Sequence, residues 1–272
     1  MSQQNPGAYP VRAQFGGYGG GLAVPQPPSE QEKQKTALAV ARAFEPKQVV
    51  GFNKTRIGRD FDGGYVHVDD FSGVGAALSF GISDDASWDL AIATRNIPVY
   101  QFDHTIDKGP VSHRLITFHK QRVSPADGPG DVCLDTLASR LLADCERAIL
   151  KIDIEGDEWQ MFYTVSEKAL AKFSQITCEF HGFQYAADPV WSERFLHVLG
   201  KLRAVFEVVH VHGNNALPFV NVGNVVLPSL LEVTFANRKY YQFVETNEVF
   251  PTALDQPNLP DRPDLRLGCF KF

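Results

Sequence analysis

The sequence predicts an α/β fold: a doubly wound, mostly parallel seven-stranded sheet closed by an antiparallel terminal hairpin. Three observations carry this reading. From Gly75 onward, short apolar stretches rich in β-branched residues alternate with segments of helical period. The stretch Ala148–Trp159 starts as a buried parallel strand over Ala148–Ile152 and then breaks into an acidic turn at Gly156. Two later strand-like stretches, Val205–Val211 and Val225–Phe235, have no helix between them, which favours antiparallel pairing.

Composition limits the function. The 272 residues carry a net charge of −6, and 44% of them are hydrophobic, enough for a full core. An acidic chain of pI near 5.7 is a poor match for phosphate-driven nucleic-acid binding. No apolar run is long enough to span a bilayer, and no basic-then-apolar secretory signal opens the chain. Cys133, Cys145, Cys178 and Cys269 are scattered without a C-x-x-C pair, the pattern of reduced thiols in a cytoplasmic protein. The expected partner is a small molecule rather than nucleic acid or a membrane, with homo-oligomerisation left open.

Three segments follow from composition shifts. Residues 1–28, rich in Gly, Pro and Gln, read as a flexible arm. Residues 29–250 form the folded domain, and 251–272 a Pro/Asp-rich tail that either wraps the domain or moves freely. Ser29 and Glu32 have capping-box spacing, so a helix is predicted to about Phe44, stopped by Pro46. Asp62-Gly63-Gly64 followed by Tyr65–Val68 predicts a hairpin on the domain's rim. Lys54, Arg56 and Arg59 are placed either in that hairpin alone or near an anionic part of a ligand.

Gly75–Ile82 is the next strand, ending in the turn at Gly81. Ser83-Asp84-Asp85 is expected to cap the helix through Trp88 and Ile92. Ile97–Phe102 then runs into Asp103-His104, at about the spacing of a glycine turn and a ribose-holding acid. A single glycine in place of G-x-G-x-x-G favours a nucleoside without a pyrophosphate. His113–His119 is a third strand, Cys133–Cys145 a helix, Gln175–Phe180 a fifth strand. Asp188-Pro189 opens a long helix by N-cap and first-turn proline.

Ligands of open α/β sheets bind beyond the carboxyl ends of the strands. Asp153, Glu179, His181 and His212 all stand at such ends, which makes them candidates for a site. Asp157 and Glu158 instead suit the first turn of a helix, where acids complement the dipole.

Lys151–Trp159 resembles the fourth-strand signature of the FkbM-type methyltransferases. Asp62-Gly63-Gly64-Tyr65, Ser79–Asp85, Phe102-Asp103-His104, Glu179-Phe180-His181 and His212–Asn215 look like related methyltransferase-like proteins. The resemblance covers roughly residues 50–240 and implies a class I, Rossmann-like methyltransferase fold. It further implies S-adenosylmethionine as cofactor and methyl transfer to a hydroxyl of a sugar or glycoside. Gly81 and Ile82 would then back the cofactor's amino-acid end, Asp103 and the adjoining His104 would border the ribose, and His119 would lie near the adenine. The hydroxyl needs a base or a Lewis acid. Either His181 or His212, with Asp153, removes the proton, or a divalent Mg or Mn bound by Asp153, Glu179, His181 and His212 lowers the hydroxyl's pKa. Two other classes remain as alternatives: a nucleotide-dependent oxidoreductase and a non-catalytic Rossmann-like binder.

Overall fold

The computed structural model describes residues 27–272. Apart from Pro27 and Pro28, the arm expected over residues 1–28 lies outside the described residues. Helix α1 (Glu30–Ala43) opens as expected: Ser29 Oγ accepts from Glu32 N–H, and the Glu32 carboxylate accepts from Ser29 N–H at 2.8 Å.

Seven strands form the main sheet, here β1 (Ala76–Phe80), β2 (Val99–Phe102), β3 (Ile116–His119), β4 (Ala148–Ile152), β5 (Phe173–Phe180), β6 (Phe206–Gly213) and β7 (Leu231–Asn237). Their order is β6-β7-β5-β4-β1-β2-β3, with β7 antiparallel to both neighbours and every other pairing parallel. Two halves wound outward from the β1/β4 boundary, with an antiparallel β7, constitute the class I methyltransferase-like, Rossmann-type fold. The central strands are buried on both faces, as their apolar runs require.

Helix α2 spans Ser87–Ala93, α3 Leu134–Leu141, α4 Glu158–Thr164, α5 Glu167–Leu170 and α6 Pro189–Val205. The α6 start is as predicted: Asp188 accepts from Val190 and Trp191 N–H, with Pro189 in the first turn. The larger core joins α1, α3, α4 and α6 to one sheet face, and a smaller one packs α2 and Tyr65 on the other.

Several expectations need correction. The hairpin of Lys54–Ile57 and Tyr65–Val68 lies across a sheet face, not on the rim. Thr234 of β7 donates to Val66 O, and the Gln175 amide exchanges two hydrogen bonds with Val68, because mid-sheet polar side chains find their partners in its backbone. Lys54, Arg56 and Arg59 are spent locally, on Glu248, on the carbonyls of Arg59 and Phe61, and on the Asp62 carbonyl. Ala86, without a side-chain cap, precedes α2, while Asp85 binds the Ser87 N–H and hydroxyl. The helix expected to Cys145 ends at Leu141. No helix separates β2 from β3. The segment around Pro228 splits into Val225–Pro228, paired with Phe219–Val222, and β7. No described helix is long and apolar enough to cross a membrane.

The tail is seated. His210 Nε2 meets Asp255 at 2.7 Å, His212 Nε2 meets Asp264 at 3.1 Å, and Asn215 Nδ2 donates to the carbonyls of Leu259 and Arg262. Residues 255–264 thereby lie against the end of β6 and, through Asn258 and Glu232, the start of β7.

Candidate functional site

The carboxyl ends of β1, β2 and β4 meet at Gly81. Its φ of +72° belongs to glycine, and a Cβ there would stand 1.5 Å from the Asp153 carbonyl oxygen. Lys151 of β4 reaches back to donate to the Gly81 carbonyl, its ammonium 5.7 Å from the Tyr65 ring centroid. The following turn is held by Asp103. One carboxylate oxygen accepts from the Ile82 and Ser83 N–H groups at 2.8 and 2.9 Å, the other from the Thr105 N–H and hydroxyl at 2.7 and 2.6 Å. Burial alone would raise the Asp103 pKa, but these donors hold it below the usual range. Protein donors thus fill the positions at which a ribose was expected, and Asp103 shapes the loop of Ile82 instead of presenting a free carboxylate. His104 is exposed beside it. His119 stacks on Phe102 with centroids 4.7 Å apart, its pKa lowered by burial, and its buried Nε2 has no partner among the described residues.

Beyond β4 and β5 the structure gathers Asp153, Glu179 and His181, each with one donor atom within 4.8 Å of the others. The Tyr65 hydroxyl donates to Asp153 Oδ2 at 3.2 Å, and Asn214 Nδ2 to Glu179 Oε2 at 2.9 Å. Burial raises the Asp153 pKa to about 6. Burial, and then the Asp153 charge, push Glu179 well above the carboxylate range. Burial would lower the His181 pKa, yet Glu155 and Glu158, with Glu179 behind them, drive it to about 12. His181 Nδ1 lies 3.2 Å from Glu158 and Nε2 3.4 Å from Glu179. At neutral pH this ring is an imidazolium.

His212 does not join this group, which corrects its placement as ligand or base. Its Nδ1–H donates to Glu232 at 2.9 Å and its Nε2–H to Asp264. Burial opposes charge there, but the Glu232 carboxylate and Asp264 raise the pKa to about 10. Both nitrogens are consumed in anchoring the tail.

The sequence did not single out several residues that build the site. Tyr65 arrives from the hairpin. Glu158, fully buried, folds back to accept from the Ile154 and Gly156 N–H groups and leaves Oε2 without a partner. It reads in sequence as an ordinary first-turn acid. Glu232 stands opposite Glu179 on β7. Asn258 comes from the tail, which carries no periodic signal.

Two carboxylates and an imidazole are a donor set for a divalent ion. Ligands of one ion lie about 3–4 Å apart, so small rotamer changes would close the observed group. The mixed oxygen and nitrogen donors fit Mn or a similar transition ion better than Mg. The orphaned Glu158 oxygen, and the half-buried Asp153 and buried Glu179 that resist ionisation, fit a divalent cation at this place.

No protein-family model and no curated protein matches this chain. Solved structures that follow part of its path include a protein described as a methyltransferase from Thermoplasma acidophilum, with TM-score 0.33 and 11% identity over 60% of this chain and 68% of that one. EvdMO1 aligns with TM-score 0.30 and 12% identity, over 62% of this chain and 38% of its own. Methyltransferase CalO6 aligns with TM-score 0.27 and 15% identity, over 61% of this chain and 58% of its own. The chain therefore spans less than two thirds of the length of the last two.

Proposed function

We propose that this protein is an S-adenosylmethionine-dependent methyltransferase acting on a hydroxyl of a sugar or sugar-containing acceptor. The observation that carries the proposal is the meeting of Asp153, Glu179 and His181 beside the Gly81–Ile82 turn, at the carboxyl edge of a class I sheet. The sulfonium cofactor supplies the methyl group. The chain's residues orient the acceptor and manage its proton. Asp153, held near a pKa of 6, accepts the hydroxyl proton, while Tyr65 fixes its second oxygen. His181 in its protonated form positions Glu179 and gives up no base.

A divalent ion at Asp153, Glu179 and His181 would supply Lewis acidity toward the hydroxyl. His181 must lose its proton to serve as a ligand, so metal binding and the imidazolium state exclude each other.

A second reading has one observation in its favour. The Asp103 carboxylate is already satisfied by four protein donors, which suits a binder that uses this edge without S-adenosylmethionine. Calorimetry separates the two: heat with S-adenosylmethionine and none with NAD supports methyl transfer. No heat with S-adenosylmethionine removes it.

A further inference from the structure

A groove of about 390 Å³ opens between the hairpin of Phe219–Val222 and Val225–Pro228 and the tail of residues 266–272. Cross-strand partners in a hairpin share one face. Val222, Val225 and Leu227 turn inward and join the larger core. Phe219 with Pro228, and Val226 opposite Asn221, therefore take the outer face, which is one wall of the groove. Phe270 and Phe272 belong to the other wall. Phe219 and Val226 remain 38% and 55% exposed, so the groove offers joined apolar surface, not scattered side chains.

The start of the chain is well placed to cover it. Helix α1 packs on the inner face of the same hairpin, and at the hairpin's tip a Cβ on Gly223 would stand 2.3 Å from Gln34 N. Ser29 caps α1 about one turn before that contact, so the preceding chain enters beside the tip. From the tip to Phe219 or Pro228 is four or five residues of strand, roughly 13–17 Å. Residues 19–28 separate Tyr18 from Ser29 and span about 33 Å when extended. That reach leaves length for a reversal of direction, which Gly19-Gly20-Gly21 permits.

The chemistry also matches. Residues 1–26 hold no acid and one charged side chain, Arg12, but three phenyl or phenol rings, Tyr9, Phe15 and Tyr18. The groove's charged side chains are Arg266 and Lys271, with no carboxylate side chain among its lining residues. A guanidinium or ammonium is drawn to the face of an aromatic ring without the acid that an ion pair needs. A linker of about ten residues keeps its end at millimolar effective concentration, so a contact too weak for a free peptide serves a tethered one.

We propose that the chain's own Phe15-Gly16-Gly17-Tyr18 docks in this groove, its two rings against Phe219, Val226 and Phe270 and beside Arg266 and Lys271. The hairpin is then clasped between α1 on its inner face and the arm on its outer face. The arm also pins the tail that continues from residues 255–264. None of this depends on methyl transfer.

Cys269 lines the groove and reports on it. In full-length protein carrying Cys133→Ser and Cys145→Ser the only other thiol, Cys178, is buried, so a thiol reagent reads Cys269. Replacing Phe15 and Tyr18 by Ala is expected to speed that labelling about tenfold or more, as a tethered contact is lost. An unchanged rate overturns the proposal, whether the groove is open or filled by another molecule. Gly17→Cys keeps both rings and should form a disulfide with Cys269 within one chain under mild oxidation, since docking brings the two α-carbons to about 7 Å or less. The two Ala substitutions should slow that link. A link whose rate ignores Phe15 and Tyr18 is chance collision and overturns the docking. Links between two chains overturn it in favour of a second copy's arm.

Discussion

Gly81 and Asp153 lock the first and fourth strands together, the α-carbon of one against the carbonyl of the other, with room for hydrogen but not for a methyl group. Gly81→Ala should therefore destabilise the protein by ~1–3 kcal/mol or more, through overpacking against backbone that has nowhere to move. Thermal unfolding checks it; an unchanged midpoint would mean that the strand ends are not clamped there.

Asp103→Ala removes four hydrogen bonds from the Ile82–Ser83 turn and Thr105. A loss of ~2–3 kcal/mol in stability is expected, because the turn's N–H groups lose a charged acceptor. Binding of S-adenosylmethionine should weaken with it. Full stability together with weakened binding would return Asp103 to the direct contact with ribose that the sequence suggested.

Metal binding at Asp153, Glu179 and His181 should release protons. Binding displaces the Asp153 proton below about pH 6, where that acid is still protonated, together with the proton of Glu179, whose pKa is pushed well above the carboxylate range, and at any neutral pH that of His181, near 12 without metal. Apparent Mn affinity should accordingly rise between about pH 5 and 7. Calorimetry in buffers of different ionisation heat measures the release. Binding with no proton release, or full turnover after exhaustive chelation, would eliminate a metal at these residues.

His212 links stability to pH. Its pKa is raised from 6.5 to about 10 in the folded chain by Glu232 and Asp264, against burial. The stabilisation is complete below the unfolded value and is lost as pH climbs through the folded one. His212→Gln should cost ~3 kcal/mol at acid pH, since it breaks a buried pair. The gap to wild type should shrink as pH approaches 10. A gap independent of pH would show that the ring acts by shape alone.

Local signals were legible in the sequence and distant ones were not. Ser29, Glu32, Asp188 and Pro189 announce their helices because caps are made by neighbours in the chain. Ala148–Ile152 announces a central strand because burial on both faces leaves no polar alternation. Asp153, Glu179 and His181 could be grouped because strand ends in a parallel sheet share one edge. His212 was misplaced, since nothing near it in sequence shows that Asp264 would occupy its second nitrogen. The parts that Tyr65, Glu232 and Asn258 play were hidden for the same reason: their partners lie far along the chain. The hairpin's position depended on Gln175 and Thr234, which in isolation look like ordinary polar positions in strands.

Asp255 and Asp264 each reach back more than forty residues to bind His210 and His212, and Asn258 reaches back to Glu232. A single proteolytic cut just ahead of Asp255 would therefore take the carboxylate from His210, one of two from His212 and the amide from Glu232 at once. The strap and the strand ends beneath it would be lost as one unit rather than contact by contact.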